Sequence, residues 1–330
     1  RDLREQALRL WVSRGEHPGE HDNRPVAREI LALRQEQARL QGVPSYADFA
    51  LADTMAQTQT AVNALLQRVW QPALRMAQRD QAALLALARS LPEPAPATLE
   101  AWDWRYYAEK LRQRDYQLDE AELKPYFPLD AMVQAAFDCA QRLFGLHFVA
   151  RHDVPLYHPD VRLYEVYDGA PDAGGACIGL FLHDNFARSS KRSGAWMGSY
   201  RLQSRRADGR RVLPIVVNNN NFAKAAGGEP TLLSFDDVRT LFHEFGHGLH
   251  GLLSDVRYQR LSGTNVLRDF VELPSQLFEH WVDEPEVLRR HARHYRTGEP
   301  LPEVWIERLQ AARRFNQAYE TLRYTASALV

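Results

Sequence analysis

The sequence predicts a mainly α-helical chain with one small twisted β-sheet beside a helix that carries the pattern HExxH. Three observations predict it. Apolar residues recur at helical spacing through most of residues 1–150 and again after Ser234. Four short runs between them are rich in β-branched and aromatic residues and are separated by turn residues. The stretch "SFDDVRTLFHEFGHGLHGLL" (Ser234–Leu253) then follows the last of those runs as a capped amphipathic helix.

Each element can be justified in turn. In "RPVAREILALRQEQARL", Val26, Ile30, Leu31, Leu33 and Leu40 share one broad face, and Pro25 suits a first-turn position. "TQTAVNALLQRVWQPALRMAQRDQAALLALARSL" keeps helical periodicity and is expected to break at Pro72. "PEPAPAT" is a Pro-rich connector. "WDWRYYAEKLRQRDYQLDEAELKPYF" mixes aromatics with charges, and its Trp102 and Trp104 are read as core. "DAMVQAAFDCAQRLFGL" is a further amphipathic helix closed by Gly145. "RLYEVYD", "ACIGLFLHD", "GAWMGSYRL" and "VLPIVVNNN" read as four strands of one sheet. The expected division is therefore a helical region over 1–150 and a metal-binding region over 151–330.

Bulk properties narrow the function classes. The 330 residues are 45% hydrophobic and 25% charged, ordinary for a soluble protein able to bury a sizeable core. The net charge of −1 creates no strong field that would select nucleic acid, acidic lipid or acidic substrates. No apolar run approaches a membrane span. Cys139 and Cys177 form neither a CxxC pair nor a disulfide framework, so a reducing, cytoplasmic setting is expected. A monomer is expected. The chain opens on Arg1 rather than Met and is read as part of a longer one.

The informative segment is the HExxH helix. Ser234 with Asp237 resembles a capping box, and Val238, Phe242, Phe245, Leu249 and Leu252 form the apolar stripe. His243 and His247 are one turn apart and face the same way, so both imidazoles can reach one Zn2+ at about 2.0–2.1 Å. Glu244 borders the site without occupying it, which suits a general base acting on a metal-activated water. His250 shares that face, with packing or a backbone hydrogen bond as ready an explanation as ligation.

Zinc needs a third protein ligand. The extended pattern HExxHxxGxxH would require Gly and His where the chain has His250 and Leu253. The alternative is a carboxylate from a second helix, and "GTNVLRDFVELPSQLFEHW" (Gly263–Trp281) offers Glu272 amid apolar neighbours. A buried lone carboxylate is costly unless it is paired or metal-bound. Glu279, two turns on, and Asp269, three residues before, are candidates to orient the imidazoles, each weighed evenly against a solvated surface acid.

"TLFHEFGHGLH" together with "LSGTNVLRDFVELPSQLFEHW" resembles the M3 family of zinc oligopeptidases. "WDWRYYAEKLR", "VPLYHPDVRLYEVYD", "KRSGAWMGSY" and "ARHYRTGEPLP" bring it nearest to the peptidyl-dipeptidase branch of that family. The resemblance implies a zincin-like, mainly helical fold enclosing a channel for short peptides. It implies zinc on His243, His247 and Glu272 and catalysis by Glu244, with release of C-terminal dipeptides. Family members are about twice as long, and this chain corresponds to their middle block. The family's downstream histidine and tyrosine-rich loop are not found in it, so low activity is expected. A non-catalytic zinc-stabilised peptide-binding module and an endo-acting oligopeptidase are the alternatives.

Overall fold

The computed structural model describes residues 1–329. In chain order the helices before the sheet are α1 (Asp2–Val12), α2 (Arg24–Leu40), α3 (Tyr46–Leu51), α4 (Gln59–Ser90), α5 (Ala101–Tyr116), α6 (Glu120–Leu123) and α7 (Leu129–Phe144). The strands are β1 (Leu146–Arg151), β2 (Arg162–Asp168), β3 (Ala176–Phe186), β4 (Trp196–Arg201), β5 (Ser204–Arg205), β6 (Arg211–Val212) and β7 (Ile215–Phe222). Then come α8 (Phe235–Leu252), α9 (Leu273–Glu279), α10 (Pro285–His291), α11 (Glu303–Ala312) and α12 (Gln317–Leu329). The chain divides into two compact units, one of Arg1–Gln117 with the stretch from Ala311 onward, the other of Leu118–Gln310.

In the first unit α4 is one continuous helix of 32 residues, with Pro72 inside it and no break there. The proline removes one backbone donor, but an apolar face continues beyond it through Ala77, Leu84, Leu87 and Ala88, all buried. That face packs on Trp104, Tyr107, Ala108 and Leu111 of α5. Trp104 stacks on Tyr319 of α12 at 4.4 Å, and its Nε1 donates to Asn316 Oδ1 at 2.7 Å. Trp104 is thus a core residue, as its sequence context suggests.

The second unit is built on a five-stranded sheet of order β1-β2-β3-β7-β4. Only the β3–β7 pair is parallel. The sheet differs from the sequence reading in one strand. "LHFVAR" is a fifth strand, β1, paired along its length with β2. Of the two segments with strand patterns near the motif, "GAWMGSYRL" supplies the edge strand β4, whereas "VLPIVVNNN" supplies β7, which lies inside the sheet between β3 and β4. The structure divides the chain after Gln117 rather than at residue 150, because α7 belongs with the sheet: Phe137 of α7 stacks on Phe148 of β1 at 4.1 Å.

The α8 helix lies across one face of this sheet. Phe181 of β3 meets Phe245 of α8 edge to face at 5.4 Å, and Phe137 packs on both. Close approach depends on glycine. A Cβ on Gly248 would come within 3.1 Å of Asn218 Oδ1 and 3.3 Å of Phe181, and one on Gly251 within 3.0 Å of Val216.

Candidate active site

The α8 helix starts as its sequence predicts. Ser234 Oγ accepts from Asp237 N at 3.0 Å, and Asp237 Oδ2 accepts from Ser234 N at 2.9 Å. This reciprocal cap fixes the first turn. Val238, Leu241, Phe242, Phe245, Leu249 and Leu252 are buried, so the rotation of the helix is set by its apolar stripe. His243 and His247 then emerge together, with ring centroids 4.9 Å apart.

The segment holding Glu272 meets α8 at Gly246. A Cβ there would lie 2.7 Å from Ser275 Cα and 2.8 Å from the Pro274 carbonyl oxygen, both backbone atoms that cannot turn aside. Gly246→Ala is expected to cost about 1–3 kcal/mol, the usual penalty for overpacking, seen as a lower thermal midpoint. An unchanged midpoint would show that the two segments separate without cost.

Glu272 Oε2 is the point on which the imidazoles converge. It lies 3.2 Å from His243 Nε2 and 3.0 Å from His247 Nε2. Ser275 Oγ donates to the same oxygen at 2.8 Å and to the Glu272 carbonyl at 3.0 Å, which pins the side chain. His243 Nδ1 pairs with Glu279 Oε1 at 2.7 Å. With the Nδ1 proton donated to Glu279, Nε2 keeps its lone pair for a ligand role. Glu244 is buried beside His243, its Oε2 has no hydrogen-bond partner among the described residues, and the backbone of Met197 in β4 favours its charged form.

Electrostatics separate these groups. Burial pushes the Glu244 carboxyl up to about 7; His243 pulls it down and Glu272 pushes it further up. Burial alone would raise Glu272, but the Ser275 hydrogen bond and the two imidazoles outweigh it and hold the carboxyl below its ordinary value. Burial works against charge on His243, yet Glu279, Glu244 and Glu272 around it raise its pKa. Burial lowers His247. Glu272 is therefore ready as an anion near neutrality, while Glu244 is poised to hold or release a proton there.

His243, His247 and Glu272 each offer one ligand atom, and these atoms all lie within 4.8 Å of one another. Donors about 2.0–2.1 Å from a tetrahedral zinc ion stand roughly 3.3 Å apart, close to the spacing of Glu272 Oε2 from both Nε2 atoms. Two imidazoles and one carboxylate are also the donor set of an open zinc site. The residues fit that ion.

The structure thus brings together His243, Glu244, His247, Glu272 and Glu279. One expectation changes. Glu272 is not buried within a helix; it precedes the first turn of α9, and its side chain is 51% exposed. Asp269 is exposed, and His247 Nδ1 is buried with no hydrogen-bond partner among the described residues. His250 lies outside the ligand group, with its ring against Phe270. Sequence reasoning missed Ser275 and Met197. The spacing from Glu272 to Ser275 could have suggested the first; nothing local points to the second.

The model of Peptidase family M3 matches residues 1–330. The chain is 43% identical, over its whole length, to the dipeptidyl carboxypeptidase of Salmonella typhimurium, and 41% identical to that of Escherichia coli. It is 39% identical to the oligopeptidase A of Salmonella typhimurium over 97% of its length. In each case it covers 47% of the relative, so the chain spans about half the length of these curated proteins. With a family match running the full described length, this chain belongs to peptidase family M3.

Proposed function

We propose that the chain carries the catalytic centre of a zinc metallopeptidase that cleaves short peptides and releases C-terminal dipeptides, in the cytoplasm. One observation carries this reading: two imidazole Nε2 atoms and one carboxylate converge on a common point, with a buried carboxyl beside them that touches an edge strand. His243, His247 and Glu272 would hold the ion. Bound there, zinc would supply Lewis acidity, lowering the pKa of a water molecule towards about 7.

The remaining work falls to this chain's own side chains. Glu244, with its pKa near 7, takes a proton from the attacking water and returns it to the leaving amine. Glu279 fixes the ring of His243, and Ser275 fixes Glu272. The β4 strand has an unpaired outer side among the described residues, on which a peptide can extend by β-augmentation beside Glu244. Dipeptide release is the finer part of the proposal and draws on the two dipeptidyl carboxypeptidases among the relatives. The test is mass spectrometry of an N-blocked pentapeptide incubated with the zinc-loaded chain. Loss of a C-terminal dipeptide supports the reading, an internal cut elsewhere removes the dipeptidase part, and no zinc-dependent cleavage removes the whole.

Glu279→Gln is expected to weaken zinc binding by about 10–100-fold, as when an orienting partner of a metal-bound imidazole is lost. Zinc titration against a competing chelator measures it. An unchanged affinity would show that the 2.7 Å contact to His243 does no orienting.

A further inference from the structure

The sheet face turned away from α8 holds a cavity of about 540 Å³ that the reading above does not use. Successive residues of a strand point to opposite faces. Met197 of β4 meets α8, where its side chain lies against Gly251. Its neighbours Trp196 and Gly198 line the cavity on the other side. The two faces of one short strand therefore serve two different places, only one residue apart.

Three cations line the cavity, Arg188, Lys191 and Arg192, against one carboxylate, Asp184. Asp184 is fully buried and is already matched. It takes two bonds from Arg188, at 2.7 and 2.6 Å, and one from Lys191 at 3.3 Å. Arg192 is different. Its side chain is exposed, its guanidinium lies 4.6 Å from the centroid of the Trp196 ring, and it has no carboxylate partner among the described residues. The concavity thus holds surplus positive charge carried on an aromatic wall, which favours an anionic group able to take a paired hydrogen bond from a guanidinium.

A peptide strand added to the free edge of β4 would send alternate side chains to the two faces of the sheet. One set would face α8 and Glu244, and the other would face the cavity. We propose that this cavity is a subsite for a carboxylate on the bound peptide, with Arg192 as the residue that selects it. The proposal rests on the peptidase reading, since it needs a peptide along β4. The carboxylate has two available sources, the free C-terminus of the peptide or an acidic side chain near it.

The experiment is calorimetric titration of the zinc-loaded Glu244→Gln chain, which binds without turnover, with three N-acetylated alanine pentapeptides. One has a free C-terminal acid, one is its amide, and one is the amide with glutamate as the last residue. At least one carboxylate-bearing peptide is expected to bind about tenfold tighter than the plain amide, as a charge-assisted pair would give. A gain for the free acid alone identifies the terminus as the source, and a gain for the glutamate amide identifies the side chain. Arg192→Gln is expected to abolish the gain and leave affinity for the plain amide as it was. Equal binding of all three peptides, or a gain that survives Arg192→Gln, overturns the subsite and leaves the peptidase reading standing. If none of the three binds, the peptidase reading fails and the subsite fails with it.

Discussion

Glu244→Gln is expected to leave zinc bound at one ion per chain and to lower peptide turnover by about 10²–10⁴-fold, the usual contribution of a general acid–base group. The substitution keeps the shape of the side chain. It removes only the ability to take up and return a proton. Metal affinity should survive, because the convergence point is formed by His243, His247 and Glu272 without Glu244. Parallel measurement of metal content and turnover checks both halves. Retained turnover in a metal-replete variant would show that another group moves the proton.

Glu272→Ala carries the other large effect. Losing a partner that merely orients a ligand costs about 10–100-fold in affinity, so losing a ligand outright is expected to cost more than ~100-fold. The same residue is half exposed, and its contacts are the two histidines and Ser275. Without zinc, the variant should therefore melt within about 0.5 kcal/mol of the parent, as for a surface change. With zinc, the parent should gain stability and the variant should not, because a ligand that binds only the folded state stabilises it. Equal zinc-induced shifts in parent and variant would rule Glu272 out as a ligand.

Much of the site is legible in the sequence because its signals are local. The cap of α8, its apolar stripe and the spacing of His243 from His247 all lie within one helix, and each constrains the same rotation. Glu279 is legible for a similar reason, being two turns from Glu272. The environment of Glu272 is not. Val271 and Leu273 beside it suggest burial, yet Leu273 is 54% exposed and Leu277 60%. Whether an apolar residue finds a partner is decided by segments distant in sequence, and here a proline-led short helix turns them outward.

The sheet shows the same limit. "LHFVAR" follows directly on a helix, and Val149, in phase with His147 and Arg151, blurs the alternation that marks a strand. Its pairing with β2 settles its conformation. The interior place of β7 depends on a parallel pairing with β3, across a connection that includes β4, and no local pattern encodes that order. The return of the last helix to the first unit likewise rests on Trp104 meeting Tyr319 and Asn316, a pairing across most of the chain.

The most direct test is zinc K-edge absorption on the zinc-loaded chain, compared with its Glu272→Ala variant. The parent should show one zinc per chain with two imidazole nitrogens and a carboxylate oxygen at about 2.0–2.2 Å, and one further light ligand from solvent. Four protein ligands, a sulfur neighbour, or a spectrum unchanged by Glu272→Ala would contradict it.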